Sequence, residues 1–317
     1  MKNCAIFAFT AAAFVLPAAA VDPTLLNLIG PDAAIVTGVD FDRVKESPLG
    51  QYALRQMNLS EEQMGKMANQ LGFDPRRDLR EVLAVMPTAA STAKQGLVLV
   101  RGSFDQSRLA GLAGLAGWPM SIHNGVTIFS PKGGHDAWAA IVPGGLAMGD
   151  EATLKAALDR ASKNPRPDAA LSARIQSAGA LHDAWVLTTV SPGQFAPRLK
   201  GQQAPGPAQG AQMDALLKGE LVQGIETVAL GVKFGANVVL SGEAQMRSGK
   251  DADALGEVMK FLVGMAASAQ GSGLSFLNSL QTTADGRVLK FSLSAPQTEF
   301  EKLMEQRSRA RVRPVSQ

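Results

Sequence analysis

The chain has 317 residues, of which 46% are hydrophobic and 19% charged, and its formal net charge is +3. This composition is typical of a globular protein and excludes a disordered chain, and the length suits one large domain or two medium ones. The last eleven residues contain no acid and four arginines, Arg307, Arg309, Arg311 and Arg313. Without these arginines and Lys2, residues 21–306 have a formal charge of −2, which disfavours a nucleic-acid-binding surface on the fold.

The first twenty residues predict a cleavable signal peptide. Lys2 precedes an apolar segment, Ala5–Leu16, and Ala18 and Ala20 are the small residues that a cleavage site requires. The segment is too short to cross a bilayer, which takes about 20 helical residues. We therefore expect cleavage after Ala20 and a periplasmic or secreted protein. The alternative is an uncleaved N-terminal helix, which the absence of a polar face disfavours.

The single cysteine, Cys4, lies before the apolar segment, whereas a lipid-modified cysteine would follow it. No lipid anchor is therefore indicated, and cleavage after Ala20 leaves a mature chain without cysteine. Such a chain cannot form disulfides, use a thiol in catalysis or bind a metal through thiolates. No later segment reaches about 18 uninterrupted apolar residues, so we expect no transmembrane helix.

Apolar periodicity and turn residues predict the elements of the first half, residues 21–165. In chain order these are strand Ala33–Asp40, helix Ser47–Asn69, strands Leu79–Met86 and Gly96–Gly102, helix Asp105–Ala116, strands Ser121–Phe129 and Ala137–Met148, and a helix capped by Asp150. Ser47 can cap the free amides of its helix, and Pro48 fits the first helical position. We expect the last helix to pack inward through four residues, Leu154, Ala157, Leu158 and Ala161.

The second half, residues 166–306, is predicted in the same way. Its elements are strand Ala184–Val190, helical segments Gln194–Leu199 and Met213–Val222, strands Ile225–Phe234 and Asn237–Gln245, helix Asp251–Ser268, strands Leu274–Thr282 and Val288–Leu293, and a helix that begins at Pro296. Asp285-Gly286 is a strong hairpin signal between the last two strands. Helix Asp251–Ser268 has apolar residues at spacings of three and four, which is typical of a helix that packs on a sheet.

Both halves therefore follow the order β-α-β-β-α-β-β-α, and the segment that begins at Ser47-Pro48 resembles the one at Ser191-Pro192. We predict an α+β fold of two similar tandem halves, with largely antiparallel sheets and helices on one face. A chance agreement between common element orders is the alternative. The boundary is predicted within Lys163–Ala169, which contains two prolines. Residues 307–317 are predicted to be a basic, disordered tail that could weakly contact an anionic surface.

Ser91-Thr92-Ala93-Lys94 matches the Ser-x-x-Lys pattern of penicillin-binding proteins and serine β-lactamases, in which the lysine helps to deprotonate the serine. Those enzymes place the pattern at the start of a buried helix. Here it lies in a predicted turn between two strands, no Ser-Asp-Asn follows, and Lys132-Gly133-Gly134 is a degraded form of Lys-Thr-Gly. A polar turn is therefore the favoured interpretation, and a serine hydrolase that uses Ser91 and Lys94 is the alternative.

The chain has three histidines, His123, His135 and His182, and two of them stand in a repeated His-Asp-Ala-Trp string, at 135–138 and 182–185. Two imidazole–carboxylate pairs could together supply four zinc ligands. Each string, however, directly precedes or opens a predicted strand, and the two lie at different places in the two halves. We therefore interpret them as polar residues at a strand start followed by a buried tryptophan, and we predict no metal site.

The glycine-rich stretch Gly111–Gly117 does not match any phosphate-binding loop, since it lacks the required glycine spacing and a following basic residue. We interpret its small residues as allowing a helix to approach a sheet closely. No Gly-x-Ser-x-Gly or His-Glu-x-x-His motif occurs. The carboxylate pairs Asp40 with Asp42 and Glu61 with Glu62 are expected on the solvated surface. The sequence thus nominates no catalytic, cofactor-binding or metal-binding residue and predicts no cofactor.

The signal-peptide pattern, the Ser47-Pro48-Leu49-Gly50 stretch and the strand-rich halves are similar to uncharacterised exported proteins of Gram-negative bacteria, which are grouped as domains of unknown function. The resemblance implies an envelope location and carries over no catalytic residue. Together with the absence of catalytic motifs, it favours a non-catalytic protein that binds another protein or an envelope component. We expect no nucleic-acid partner.

Overall fold

The structure is a computed structural model, and it describes residues 21–56, 73–88, 96–130, 138–163, 168–192, 194, 219, 223–268 and 275–302. Several predicted features lie outside these residues. They are the signal peptide, the second part of helix Ser47–Asn69, the pair Ser91 and Lys94, most of the helical segments within 194–222, and the tail 307–317.

The strands are β1 Ala33–Asp40, β2 Leu79–Pro87, β3 Leu97–Gly102, β4 Met120–His123, β5 Val126–Phe129, β6 Trp138–Val142, β7 Gly145–Gly149, β8 Ala184–Thr188, β9 Ile225–Lys233, β10 Asn237–Met246, β11 Gln281–Asp285 and β12 Val288–Pro296. The helices are α1 Pro23–Leu26, α2 Phe41–Glu46, α3 Pro48–Gln56, α4 Pro75–Asp78, α5 Gln106–Leu115, α6 Glu151–Ser162, α7 Ala169–Leu181 and α8 Gly249–Ser268. A 3₁₀-helix covers Ser275–Ser279, and residues 297–302 are helical.

The twelve strands within the described residues belong to one sheet, in the order β11-β12-β10-β9-β8-β1-β2-β3-β7-β6-β5-β4, and neighbouring strands are antiparallel. The predicted α+β class with an antiparallel sheet is therefore confirmed. The two predicted halves share this sheet, because β8 from the second half pairs with β1 from the first. Of the strands that the structure describes, seven precede residue 165 and five follow it. Internal duplication stays a prediction.

Local capping signals fix the starts of several helices, as the sequence suggests. The hydroxyl of Ser47 accepts a hydrogen bond from the Gly50 amide at 3.0 Å, and Pro48 is the first residue of α3. Asp150 accepts the Thr153 amide at 2.8 Å. Each side chain satisfies an amide that has no partner within the helix, so these helix starts follow from the local sequence.

The hydrophobic core is divided between the two faces of the sheet. Register places Leu83, Leu99 and Leu187 on one face, which we call the front, where they contact buried residues of α6 and α7. Successive residues of a strand point to opposite faces. Ala229 on β9 faces the front and pairs with Glu243, so Ala244 faces the back. There it packs with Ala252 of α8 in a second, smaller core.

Helices therefore cover both faces of the sheet, and the prediction of helices on one face is wrong. Helix α7 buries Leu171, Ile175 and Ala178 against the front of β1, β8 and β9. Helix α8 instead contacts β10, β11 and β12 from the back. In the described part of the chain, no helix is long and apolar enough to span a membrane.

Two predicted single strands are hairpins, which corrects the first half. Ser121–Phe129 divides into β4 and β5 at Asn124-Gly125, whose φ angles of 50° and 78° are left-handed. A two-residue turn of this kind requires positive φ, and Asn-Gly provides it at low cost. Similarly, Ala137–Met148 contains the turn between β6 and β7, where Gly144 has a φ of 78°.

The second half also differs from the prediction in two places. Helix α7 was not predicted, although Asp168 caps it by accepting the Leu171 amide at 2.7 Å. The predicted strand Leu274–Thr282 begins instead with the 3₁₀-helix and continues as β11 from Gln281. The hairpin between β11 and β12 is confirmed, with Asp285 paired to Val288 and Gly286 at a φ of 56°.

Candidate functional site

Helix α6 lies on the front of the sheet and has a cavity on each side. Leu154, Ala157 and Leu158 are buried in the front core and fix the helix against the strands. Of the predicted inner residues, Ala161 is the exception, because it is exposed beside one of the cavities. A rigid helix between two cavities is a suitable framework for a binding site.

The larger cavity, about 260 Å³ in volume, lies between α6, α1 and the turns of two hairpins. We call it the hairpin cavity. Its apolar wall includes Leu28, Val126, Val142 and Leu158, and two amide side chains, Asn27 and Asn124, also line it. It is slightly smaller than typical drug-sized sites, which are roughly 300–1,000 Å³. An apolar wall with a few polar groups is the arrangement expected for a small, largely apolar ligand.

Asp159 of α6 joins the helix to the β4–β5 hairpin at the edge of this cavity. Its Oδ1 lies 2.6 Å from Nε2 of His123 and accepts a hydrogen bond from Nδ2 of Asn124 at 2.7 Å. His123 precedes the turn and points to the front face, towards α6. The three side chains therefore hold the turn against the helix and set the position of Asn124 in the cavity wall.

The hydrogen bonds from His123, and then from Asn124, lower the pKa of Asp159 below its ordinary value of 3.8. A lowered pKa in the folded state means that the ionised carboxylate stabilises the fold. This contribution is present above the ordinary value and is lost as pH falls through the lowered pKa. Because Asp159 is at the surface, water screens the effect.

Asp159→Asn should therefore lower the midpoint of urea unfolding at neutral pH by a small amount. The difference from the wild type should shrink as pH falls through the lowered pKa of Asp159, because the wild-type carboxyl is then neutral as well. Unfolding curves recorded between pH 7 and pH 2 measure this. Asn124→Gly, which keeps a residue suited to positive φ but removes one donor, should show the same pH trend at reduced size. If the midpoints of Asp159→Asn and the wild type differ by the same amount at all pH values, the ionised Asp159 carboxylate does not stabilise the fold.

The smaller cavity, of about 130 Å³, lies on the other side of α6 at the ends of β1, β2 and β3. We call it the strand-end cavity, and Gly30, Asp32, Thr153 and Arg160 line it together with apolar residues. Nη2 of Arg160 donates to the Leu28 carbonyl at 3.0 Å. Burial lowers the pKa of Arg160, while the negative charge of Asp32 opposes this shift. The cavity is smaller and more polar than the hairpin cavity.

The candidate pair Ser91 and Lys94 lies outside the described residues, in the connection between β2 and β3. The residues that flank this connection, Pro87 and Leu97, both line the strand-end cavity. The two ends of the segment therefore meet at this cavity. This placement was not expected from the sequence, since the partner strands and α6 come from distant parts of the chain.

The second His-Asp-Ala-Trp string lies at the start of β8 and its tryptophan is buried, as the sequence interpretation predicted. Nε2 of His182 lies 2.9 Å from the Ser241 hydroxyl, and its Nδ1 lies 3.1 Å from the Ala178 carbonyl. Asp183 is buried and accepts the Phe234 amide at 2.7 Å. Trp185 is buried in the front core. Of the first string, only Trp138 is among the described residues, and it is half-buried against the front core.

Among the described residues, no group of three or more histidine, cysteine, aspartate or glutamate side chains is arranged to hold a metal ion. The interpretation of Gly111–Gly117 as a helix packed closely on the sheet is wrong. Helix α5 has no buried residue, and a Cβ added at Gly111 would meet no atom within 4 Å. The helix therefore lies away from the sheet, and close packing does not explain its glycines.

Comparison with protein-family models, with curated proteins and with solved structures gives no significant match. What the site can bind or do is therefore inferred from its own residues. Sequence reasoning did not select Asn124 or Asp159, and it gave His123 no role of its own. The Asn124-Gly125 dipeptide is a strong hairpin signal that could have identified the turn. Nothing local indicates that Asp159 meets that turn, because the two lie 35 residues apart.

Proposed function

We propose that this is an exported, non-catalytic binding protein whose hairpin cavity takes a small, largely apolar ligand. The observation that carries the proposal is the cavity itself, in which an apolar wall and two amide side chains converge between α6 and two hairpin turns. Burial of apolar ligand surface would supply most of the affinity, and the amides would orient one polar group of the ligand. The volume suits a single aromatic ring system or a short acyl chain.

The contact between Asp159 and the hairpin supports this use of the cavity. Because α6 is fixed on the core and the turn is held by His123 and Asn124, the cavity wall is formed before a ligand arrives. A preformed wall reduces the entropy lost when the ligand binds.

Two hydroxyls also line the cavity. That of Thr24 donates to the capping carboxylate of Asp22 at 2.7 Å, and that of Ser162 donates to the Asp159 carbonyl at 3.0 Å. Both are local contacts at helix ends, and we therefore favour binding as the function of the cavity.

Indole and octanoate are suitable probes, because each is small and apolar with one polar group. Both should give saturation-transfer NMR signals with the full-length exported protein. Ala161→Trp places a large side chain at the exposed rim of the hairpin cavity and should reduce affinity at least about tenfold, since the added ring occupies the ligand volume. The matched control is Ala156→Trp, at another exposed position of the same helix that lines the strand-end cavity instead.

Unchanged binding in Ala156→Trp, with loss in Ala161→Trp, would support the hairpin cavity. If neither probe binds the wild type, or if both variants bind as the wild type does, the cavity is not a ligand site. Far-ultraviolet circular dichroism of each variant separates loss of binding from loss of folding.

Export followed by cleavage after Ala20 is part of the same proposal. Val21 is 1% exposed and lies in the front core. Its amide donates to Oε1 of Gln176 at 3.1 Å, and its carbonyl accepts from Nε2 of the same side chain at 2.7 Å. A peptidase cannot reach a bond at such a buried residue, so cleavage has to precede folding. Edman sequencing of the exported protein should begin at Val21, and intact Met1 on exported material would contradict the proposal.

A periplasmic or secreted location, and a partner in the cell envelope, follow from export and agree with the resemblance to exported proteins of Gram-negative bacteria. The arginines of the tail, Arg307–Arg313, could add weak contact with an anionic surface. Truncation after Gln306 should then reduce retention on vesicles that contain phosphatidylglycerol. Unchanged retention would remove the tail from the proposal.

A serine hydrolase that uses Ser91 and Lys94 is the second candidate function. One observation favours it: Pro87 and Leu97, which flank this segment, line a cavity that also contains Thr153 and Arg160. A fluorophosphonate or penicillin probe separates the two functions. Labelling of the wild type that is lost in Ser91→Ala would establish the hydrolase, and absence of labelling would leave binding as the function.

A further inference from the structure

The edge of the sheet at β4 carries an exposed apolar segment. Every residue from Gly114 to Ile122 is exposed, and Ser121 is the one polar side chain in this run. Leu115 is 87% exposed, Trp118 41%, Met120 52% and Ile122 78%. Apolar side chains concentrated on a sheet edge are a feature of interaction surfaces, because monomeric proteins normally protect such edges with charges or short irregular strands.

The backbone of β4 has a free row of hydrogen-bonding groups. The Ser130 amide donates to the Pro119 carbonyl at 3.0 Å, and β4 and β5 pair from Met120–Phe129 to His123–Val126. Hydrogen-bonded and non-hydrogen-bonded pairs alternate along an antiparallel ladder. Ser121 is therefore turned towards β5, whereas the amides and carbonyls of Met120 and Ile122 point away from the sheet. In the described part of the chain, β4 has no neighbour on that side.

The opposite edge of the sheet shows that this composition is particular to β4. Strand β11, at the other end of the strand order, consists of Gln281, Thr282, Thr283, Ala284 and Asp285. Its polar and charged side chains discourage pairing with another chain. The two edges are thus chemically different: among the described residues, exposed apolar side chains and outward-pointing backbone groups occur together at the β4 edge.

We propose that β4 pairs with β4 of a second copy of this chain, so that two sheets join across a two-fold axis at Ser121. Antiparallel pairing about Ser121 places Met120 opposite Ile122 of the second copy. The outward amide and carbonyl of Met120 then meet those of Ile122, and the symmetry forms the same bonds twice. An isologous interface needs this kind of self-complementary surface.

The side chains also suit a second copy. Met120 and Ile122 both face the back of the sheet, so the pairing brings them together as two apolar cross-strand pairs. No like charges meet in this register, because Met120–Ile122 contains no charged residue and the ring of His123 is bound to Asp159. Gly114 lies beside this edge, because a Cβ built there would be 3.8 Å from Cε of Met120, and as a glycine it adds no side chain that would obstruct a second copy.

The area available indicates a weak dimer. Four partly exposed apolar side chains offer less area than a standard interface, which buries about 800 Å² per partner. Other residues of α5, and the backbone of the Gly114–Pro119 segment, would supply further contact area. We therefore expect self-association in the micromolar range, which analytical ultracentrifugation of the full-length exported protein can measure.

A charge-pair experiment tests the register. Ile122→Lys should raise the dimer dissociation constant by about a hundredfold, because each copy would then bury a lysine against Met120. Adding Met120→Glu to that variant should restore most of the affinity, since the pairing places each introduced glutamate opposite an introduced lysine. The restored dimer should weaken with salt. In any other register the introduced glutamate would not lie opposite the introduced lysine. Met120→Glu would then raise the dissociation constant further instead of restoring the dimer.

A disulfide experiment tests the position of the axis. In a Cys4→Ala background, Ser121→Cys should form an intermolecular disulfide on mild oxidation, because residues opposite one another at the axis lie close enough for this bond. Thr283→Cys, on the exposed opposite edge, is the control: it should still self-associate through β4 but form no intermolecular disulfide. The proposal would be overturned if the wild type sediments as a monomer up to millimolar concentration. It would also be overturned by a dimer whose dissociation constant is unchanged in Ile122→Lys and which Ser121→Cys does not cross-link. Ligand binding in the hairpin cavity does not depend on either result.

Discussion

Gly38→Ala should destabilise the protein by about 3 kcal/mol, measured as a reduced free energy of unfolding in urea. Gly38 lies on β1 directly opposite Trp185 on β8, and the indole ring covers it. A Cβ at Gly38 would lie 2.7 Å from Nε1 of the ring and still closer to two of its carbons. The ring is buried in the front core, so it cannot move aside without opening the packing around it.

The loss expected in Gly38→Ala is a large part of the free energy of unfolding, which is about 5–15 kcal/mol for most proteins. Gly111→Ala is the matched control, because Gly111 is helical and has no atom near its missing Cβ. That variant should be as stable as the wild type or more stable by about 0.5–1 kcal/mol. Combining Gly38→Ala with Trp185→Leu should cost less than the two single changes together, since the clash is removed. Wild-type stability in Gly38→Ala would contradict the pairing of β1 with β8.

Asp183→Ala should lower the free energy of unfolding by about 2–4 kcal/mol. Asp183 is 3% exposed, and its Oδ2 accepts the Phe234 amide at 2.7 Å. Its Oδ1 lies 3.6 Å from Nη1 of Arg43. Removal of the carboxylate leaves the Phe234 amide without its acceptor and weakens the contact that joins α2 to the start of β8. Urea unfolding at neutral pH measures the loss.

Asp42→Ala is the control for this change. Asp42 also pairs with a cation, Lys45, at 3.6 Å, but about half of its side chain is exposed. Exposed ion pairs contribute about 0–1 kcal/mol, so this variant should remain close to the wild type. The free energy of unfolding of Asp183→Asn should lie between those of the wild type and Asp183→Ala, because the amide oxygen can still accept the hydrogen bond from the Phe234 amide. Equal effects of Asp183→Ala and Asp42→Ala would show that the buried carboxylate does not stabilise the strand start.

Local signals in the sequence determine much of the secondary structure. Side-chain caps at Ser47 and Asp150 start helices within the first half, and the Asp285-Gly286 signal marks a hairpin. These signals act over four or five residues, so they can be identified without knowing the fold. Two further local signals were present and not used. They are the Asn124-Gly125 turn and the cap at Asp168 with apolar residues following at Leu171 and Ile175.

The order of the strands could not be predicted from the sequence. Alternation along β1 separates its residues into two faces, but it does not identify β8, about 150 residues later, as its partner. Many pairings satisfy the same alternation, and only the packing of the complete chain selects one. For the same reason the sequence did not show that Ala244 and Leu289 form a core on the back of the sheet, while Leu83 and Leu187 lie on the front.

The sequence by itself determined a globular α+β chain with an antiparallel sheet, and it predicted the buried tryptophan of the second His-Asp-Ala-Trp string. The candidate site was decided only by tertiary structure. His123 and Asn124 come from the β4–β5 hairpin, Asp159 from a helix that begins two strands after that hairpin, and Leu28 from the N-terminal segment. These residues have no common periodicity in the sequence. They meet because α6 packs on the front core beside the turn, and that packing is a property of the whole sheet.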